Sequence, residues 1–248
     1  MVWSCLVSIL PGMAQTEKLT DYVNPFVGTD GYGNVYPGAQ IPFGGIQISP
    51  DTDSRFYDAA SGYKYNHLTL MGFSLTHLSG TGIPDLGDFL FIPGTGEMKL
   101  EPGTHEDPDQ GYRSRYSHDK EWASPNYYAV ELADYGVKAE MTSGVRSGMF
   151  RFTYPESDNA FIMIDMNHTL WQSCEWSNLR MINDSTITGY KLVKGWGPER
   201  HVYFTATFSK KLTGLRFVQD KKPVIYNTSR FRSSYEAWGK NLMACISF

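Results

Sequence analysis

From Val145 to Tyr154 the chain sets Phe150, Phe152 and Tyr154 on one face and Arg151 and Thr153 on the other. That two-residue period is the mark of a half-buried strand. His201–Phe208 repeats it through Val202, Phe204, Ala206 and Phe208, and Ala160–Ile164 is apolar on both faces, as a fully covered strand is. Ile46–Ile48, Phe89–Ile92, Tyr127–Leu132, Val137–Met141 and the apolar Leu242–Phe248 add further short strands. Pro102-Gly103, Asp134-Tyr135-Gly136 and Gly195-Trp196-Gly197-Pro198 are the turn signals between them. No long amphipathic helix stands out. Tyr235–Lys240 reads as one helical turn, and the polar Glu101–Ser124 as a long surface loop. Many short strands with Gly/Pro-rich turns predict an all-β protein, a large antiparallel β-sandwich.

Composition sharpens this picture. With 248 residues, 15% aromatic and only 19% charged, the chain has material for a large core in a single sandwich. A formal charge of -4 with scattered Lys and Arg leaves no basic footprint, so nucleic acid is not an expected partner. Val2–Leu10 is apolar and is followed by Pro11, Gly12 and Ala14, which predicts a secretory signal over residues 1–15. That run is too short to span a bilayer. Of the three cysteines, Cys174 and Cys245 fall outside the signal, are not in a metal-ligand spacing, and are expected to remain unbridged.

The chemistry concentrates in Gly62–Asp88. There His77 precedes a Ser79-Gly80-Thr81-Gly82 turn, and Asp85 and Asp88 follow it. Gly80 and Gly82 have no side chain to hold a ligand away from the backbone, so Thr81 and the flanking amides are candidates for a sugar hydroxyl. Each reading has a plainer competitor. His77 at a strand end can bond a neighbouring carbonyl, the glycines can serve only a tight hairpin, and Asp85 and Asp88 more often fix a turn than act as an acid/base pair. Phe56 and Tyr57, next to Asp58, offer rings on which a pyranose could stack, against core packing as the commoner use. Trp171, Trp176 and Trp196 carry the same choice. The candidate substrate-binding set is therefore Phe56, Tyr57, Asp58, His77, Ser79, Gly80, Thr81, Gly82 and Asp85, with no catalytic and no metal-binding residue assigned.

Taken in order, Tyr22-Val-Asn-Pro-Phe-Val-Gly-Thr29, Tyr36-Pro-Gly-Ala39, Pro42-Phe-Gly-Gly45, Ser61-Gly-Tyr-Lys-Tyr65, Gly72-Phe-Ser-Leu-Thr-His-Leu-Ser-Gly-Thr-Gly82 and Asp85-Leu-Gly-Asp88 resemble the N-terminal domain of glycoside hydrolase family 92. A looser likeness continues through Gly189, Gly195-Trp196 and Val202–Lys210, so it spans residues 20–248. The resemblance implies a secreted or periplasmic, largely bacterial, exo-acting α-mannosidase acting on mannose-containing glycans. It implies a β-sandwich joined to an (α/α)6 barrel, calcium as cofactor, and inversion at the anomeric carbon. The family's catalytic acid and base and most calcium contacts belong to the barrel, which matches no part of these residues. The expected partner is therefore that C-terminal catalytic domain, with the chain read as the front part of a longer polypeptide that is inactive alone. Where relatives carry a tryptophan before the Ser-Gly-Tyr piece, this chain has Phe56-Tyr57-Asp58. A stand-alone carbohydrate-binding module is the alternative reading.

Overall fold

A computed structural model describes residues 17–54, 57–225 and 235–248. The expected signal segment lies outside them. An eight-stranded antiparallel sheet runs, edge to edge, through Ala39–Gln40, Gln47–Asp51, Gly72–Ser74, Leu90–Thr95, Ala160–Asp165, Leu242–Ser247, Gly214–Gln219 and Lys222–Pro223. Two four-stranded antiparallel sheets share one of its faces. One is ordered Gly148–Thr153, Val137–Ser143, Tyr127–Leu132, Glu121–Ser124. The other is Arg200–Thr207, Thr186–Lys194, Ser173–Asn183, Glu236–Gly239. The result is the large antiparallel sandwich that the alternation pattern predicts.

Packing follows the strand period. Ile48, Phe73, Tyr128, Val130, Ala139 and Met141 close the core between the large sheet and the first small one. Phe89, Phe91, Ile164, Leu179, Ile187 and Ala244 close the core against the second. Phe150 and Phe152, picked out by their alternation, lie against both cores and stack on each other at 5.3 Å. Leu242–Ser247 sits inside the large sheet, between Ala160–Asp165 and Gly214–Gln219, which is why it is apolar on both faces. On the far face of that sheet, Met71, Ile92, Phe161, Met163 and Met243 form a third cluster, partly covered by Met98 and Leu100.

Two expectations need correction. Within Tyr235–Lys240, Glu236–Gly239 is a strand, not a helical turn. It pairs with Arg180–Ser177, and its alternating Ala237 (buried) and Trp238 (exposed) obey the strand period. Glu101–Ser124 is not merely a surface loop either. Tyr112, Arg113, Ser114 and Tyr116 are buried, and Glu121 accepts hydrogen bonds from the Tyr63 and Tyr128 hydroxyls at 3.0 and 2.6 Å. Its polar composition supplies those buried partners rather than a solvated surface. Cys174 and Cys245 are buried free thiols. No helix among the described residues is long and apolar enough to cross a membrane.

Candidate functional site

The segment after Gly72–Ser74 divides into a buried floor and an exposed lip. In the floor, His77 is 3% exposed and sits 5.1 Å ring to ring from Tyr36. Its Nδ1 is 2.7 Å from the Gln47 carbonyl and its Nε2 2.8 Å from Asp51 Oδ1. Ser74 Oγ also lies 3.0 Å from Nε2, so both ring nitrogens are engaged within the fold. The other Asp51 oxygen takes a bond from His168 Nε2 at 2.7 Å. Burial alone would raise the Asp51 pKa, but the His77 charge and the two imidazole bonds outweigh it and hold the carboxyl well below its usual range. Gly62 makes the arrangement possible. It adopts φ +86°, and a Cβ there would lie 2.1 Å from Asp51 Oδ1.

Asp88 anchors a second buried group. Lys191, fully buried on the inward face of Thr186–Lys194, lies 3.1 Å from Asp88 Oδ1, close enough for an ion pair though not aligned as a hydrogen bond. Its ammonium donates to the His168 carbonyl at 2.6 Å and stands over the Phe89 ring. Arg200 and Thr76 bond the other Asp88 oxygen. Burial pushes the Asp88 pKa up, yet Lys191 and Arg200 pull it further down, so the carboxylate stays charged. His168 thus links the two groups, through its ring to Asp51 and its carbonyl to Lys191.

Over this floor the chain turns outward. Ser79, Gly80 and Gly82 are exposed, and a Cβ at Gly80 or Gly82 would meet nothing within 4 Å. Gly80, at φ +71°, spends its amide on the Asn34 carbonyl at 2.8 Å, so the amide holds the lip rather than a ligand. Thr81 Oγ1 closes the turn by bonding the Ile83 carbonyl and amide at 2.9 and 3.2 Å. Asp85 pins the C-terminal end of the lip, accepting from the Leu86 amide at 2.6 Å and the Trp196 amide at 2.9 Å. A side chain at Gly195 would collide with it. Gln172 Nε2 adds a bond to the Pro84 carbonyl at 2.7 Å.

The structure therefore brings His77, Asp85 and Ser79–Gly82 together, and divides them by task. As placed, His77 has no nitrogen left for a sugar hydroxyl; it supports the lip from below. Asp85 and Asp88 are each committed to neighbours, Asp88 to the buried Lys191 and the partly exposed Arg200. Tyr57 is exposed in the one-turn Tyr57–Ala59 helix. Phe56 and the Asp58 side chain lie outside the described residues. That turn returns to the floor through Gly62, whose carbonyl accepts from the Thr52 amide at 2.7 Å. The sequence reading missed Asp51, His168, Lys191 and Arg200. One signal was there: in Thr186–Lys194 the inward positions are Ile187, Gly189, Lys191 and Val193, and a lysine in an apolar register needs a buried counter-charge.

The residues suit calcium poorly. Among those described, no three His, Cys, Asp or Glu side chains converge as a metal site. Of the buried carboxylates, Asp51 is already engaged by His77 and His168, and Asp88 by Lys191 and Arg200.

The sequence pattern defining the glycosyl hydrolase family 92 N-terminal domain matches residues 22–248. A curated relative, an uncharacterized secreted glycosidase from Arthroderma benhamiae, is 30% identical over 139 residues, 55% of this chain and 17% of its own. Among solved structures, a family 92 glycosyl hydrolase superposes with TM-score 0.75 at 27% identity, over 92% of this chain and 30% of its own. An inverting mannosidase of the same family from Bacteroides thetaiotaomicron gives TM-score 0.74 at 23% identity, over 94% of this chain and 30% of its own. The second likeness is one of fold alone. The chain spans less than a third of the length of each of these proteins.

Proposed function

Because the chain belongs to glycosyl hydrolase family 92, whose N-terminal domain it carries, we propose that it is the sandwich half of a secreted, calcium-dependent, inverting exo-α-mannosidase. In this reading the Ser79–Ile83 lip stands at the rim of a sugar pocket completed by a helical barrel. The single observation that carries it is the contrast between the solvent-facing lip and the buried ionic floor beneath it. A rim loop must be both reachable and stiff, and this one is held at Asn34, Trp196 and Gln172.

Inversion needs one carboxylic acid to protonate the leaving oxygen. A second carboxylate about 6.5–9.5 Å away activates the water. Asp51, Asp85 and Asp88 are spent on the fold, so both groups come from the barrel in this proposal. Calcium, held there by hard oxygen ligands, would supply orientation of the sugar hydroxyls. The contribution of this chain is to position Ser79, Thr81 and the ring of Tyr57 beside the leaving glycan.

The purified chain is expected to release no product from aryl α-mannosides, with calcium or with chelator. Turnover by the chain alone that disappears in Asp85→Asn or Asp88→Asn would sink the proposal, since it would place the acid/base pair in the sandwich.

A further inference from the structure

A cleft of about 700 Å3 opens across the 167–173 loop from the lip, and none of Ser79–Ile83 lines it. Its floor is the outer face of the large sheet, with Met71, Tyr112 and Met243. Asn167, Trp171 and Gln172 form one wall.

Two features of that wall are unexplained by the fold. Trp171 is 64% exposed, yet it is held at φ +72°, a left-handed conformation that a bulky residue adopts rarely and at a cost. The loop is clamped on both sides of it: the Leu170 amide donates to the Leu86 carbonyl at 3.0 Å, and Thr169 Oγ1 donates to the Gln172 carbonyl at 2.9 Å. The backbone is thus forced to present an indole to solvent. Gln172 is equally lopsided. Its Nε2 must be the atom facing the Pro84 carbonyl, which fixes Oε1 as a buried acceptor with no partner.

The chemistry of the cleft selects its ligand. Among the described residues of its lining, Lys221 is paired with Glu101 at 2.6 Å and His168 is held by Asp51 at 2.7 Å, so a phosphate or carboxylate meets cationic groups that are already paired. The lining also carries Glu101, Asp165 and Asp220, and each already has a partner: Lys221 for Glu101, the Asn167 amide at 2.8 Å for Asp165, and the Asn241 side-chain amide at 2.8 Å for Asp220. The groups left to meet a ligand are a flat indole, an apolar floor and neutral polar side chains. We infer that this cleft is a second saccharide site, which takes a neutral oligosaccharide with one pyranose face on Trp171 and its hydroxyls toward the polar side chains of the cleft. It stands apart from the mannosidase reading, because a chain that never took part in hydrolysis would still bind there.

Trp171→Gly tests it, because glycine relieves the positive φ while removing the ring. Isothermal titration of the 248-residue chain with α-mannotriose, and separately with chitotriose, is expected to show saturable binding of at least one. The variant should bind about tenfold more weakly or worse, the effect of losing one stacked ring, with its Tm unchanged or raised. Tyr203→Ala, which removes an exposed ring outside the cleft, should leave that affinity within about twofold. Absence of saturable binding by either sugar would overturn the inference, as would wild-type affinity in Trp171→Gly. Weaker binding with a lowered Tm would overturn it too, by making the indole a packing group.

Discussion

The lip and the floor come from one short stretch of sequence and use the same residue types, but they are built on opposite physics. On the floor, His77 and Asp88 are buried and every charge has a counter-charge: Asp51 between two imidazoles, Asp88 between an ammonium and a guanidinium. On the lip, Ser79, Gly80 and Gly82 face solvent, and the loop is held by the Gly80 amide on the Asn34 carbonyl and by the Thr81, Asp85 and Gln172 side chains bonding backbone groups. A histidine beside a Ser-Gly-Thr-Gly turn is thus part of the mounting here, not of the surface that it mounts. The difference teaches that polar residues clustered in sequence need not share a task.

The sharpest way to break the contrast is to remove a floor charge. Asp88→Ala leaves the Lys191 ammonium fully buried, donating to the His168 carbonyl but without the carboxylate that faces it. The expected loss is about 3–5 kcal/mol, measured by urea denaturation with the m-value checked for constancy. Lys191→Met should cost clearly less, because Asp88 keeps Arg200. A loss under about 1 kcal/mol for Asp88→Ala, the range of an exposed pair, would mean that the floor is hydrated and the distinction false.

The second test uses pH. Asp51 has its carboxyl lowered from 3.8 in the folded chain. The unfolded state therefore binds the proton first, and the stabilisation is fully present above about pH 5 and drains away as pH falls through the lower folded value. Asp51→Asn, which takes the anion from between His77 and His168, is expected to cost about 2–3 kcal/mol at pH 7. The gap between wild type and variant should narrow steadily below about pH 4. A gap that stays constant down to pH 2 would show that Asp51 is not ionised in the fold.

How much of this was legible beforehand follows from which interactions are local. Phe150, Phe152 and Phe204 announce their strands because each side chain's burial depends on the two-residue period of its own segment. Tyr235–Lys240 reads as a helical turn because it is short, while the strand character of Glu236–Gly239 within it is set by a partner some sixty residues away at Ser177–Arg180. The floor was hidden for the same reason. Asp51, His168 and Lys191 are separated by 117 and 23 residues along the chain, and only the sandwich brings them within hydrogen-bonding reach. Exposure of the lip, by contrast, follows from Gly80 and Gly82 themselves. The positive φ of Trp171 is only half written in its neighbours, because one clamp is the local Thr169–Gln172 bond and the other comes from the distant Leu86.

The smallest effect is also the finest discriminator, since it compares one substitution at two glycines. Gly62→Ala places a methyl 2.1 Å from Asp51 Oδ1 at φ +86°, so either the carboxylate or the backbone must move. A loss of about 1–3 kcal/mol is expected. Gly82→Ala adds the same methyl where nothing lies within 4 Å and where the backbone is not left-handed, so stability should stay within about 0.5 kcal/mol of wild type. Parallel thermal and urea unfolding of the two variants reads the difference directly. Equal losses would mean that the lip is packed as tightly as its mounting, and a loop with no free space around it has no room to meet a sugar.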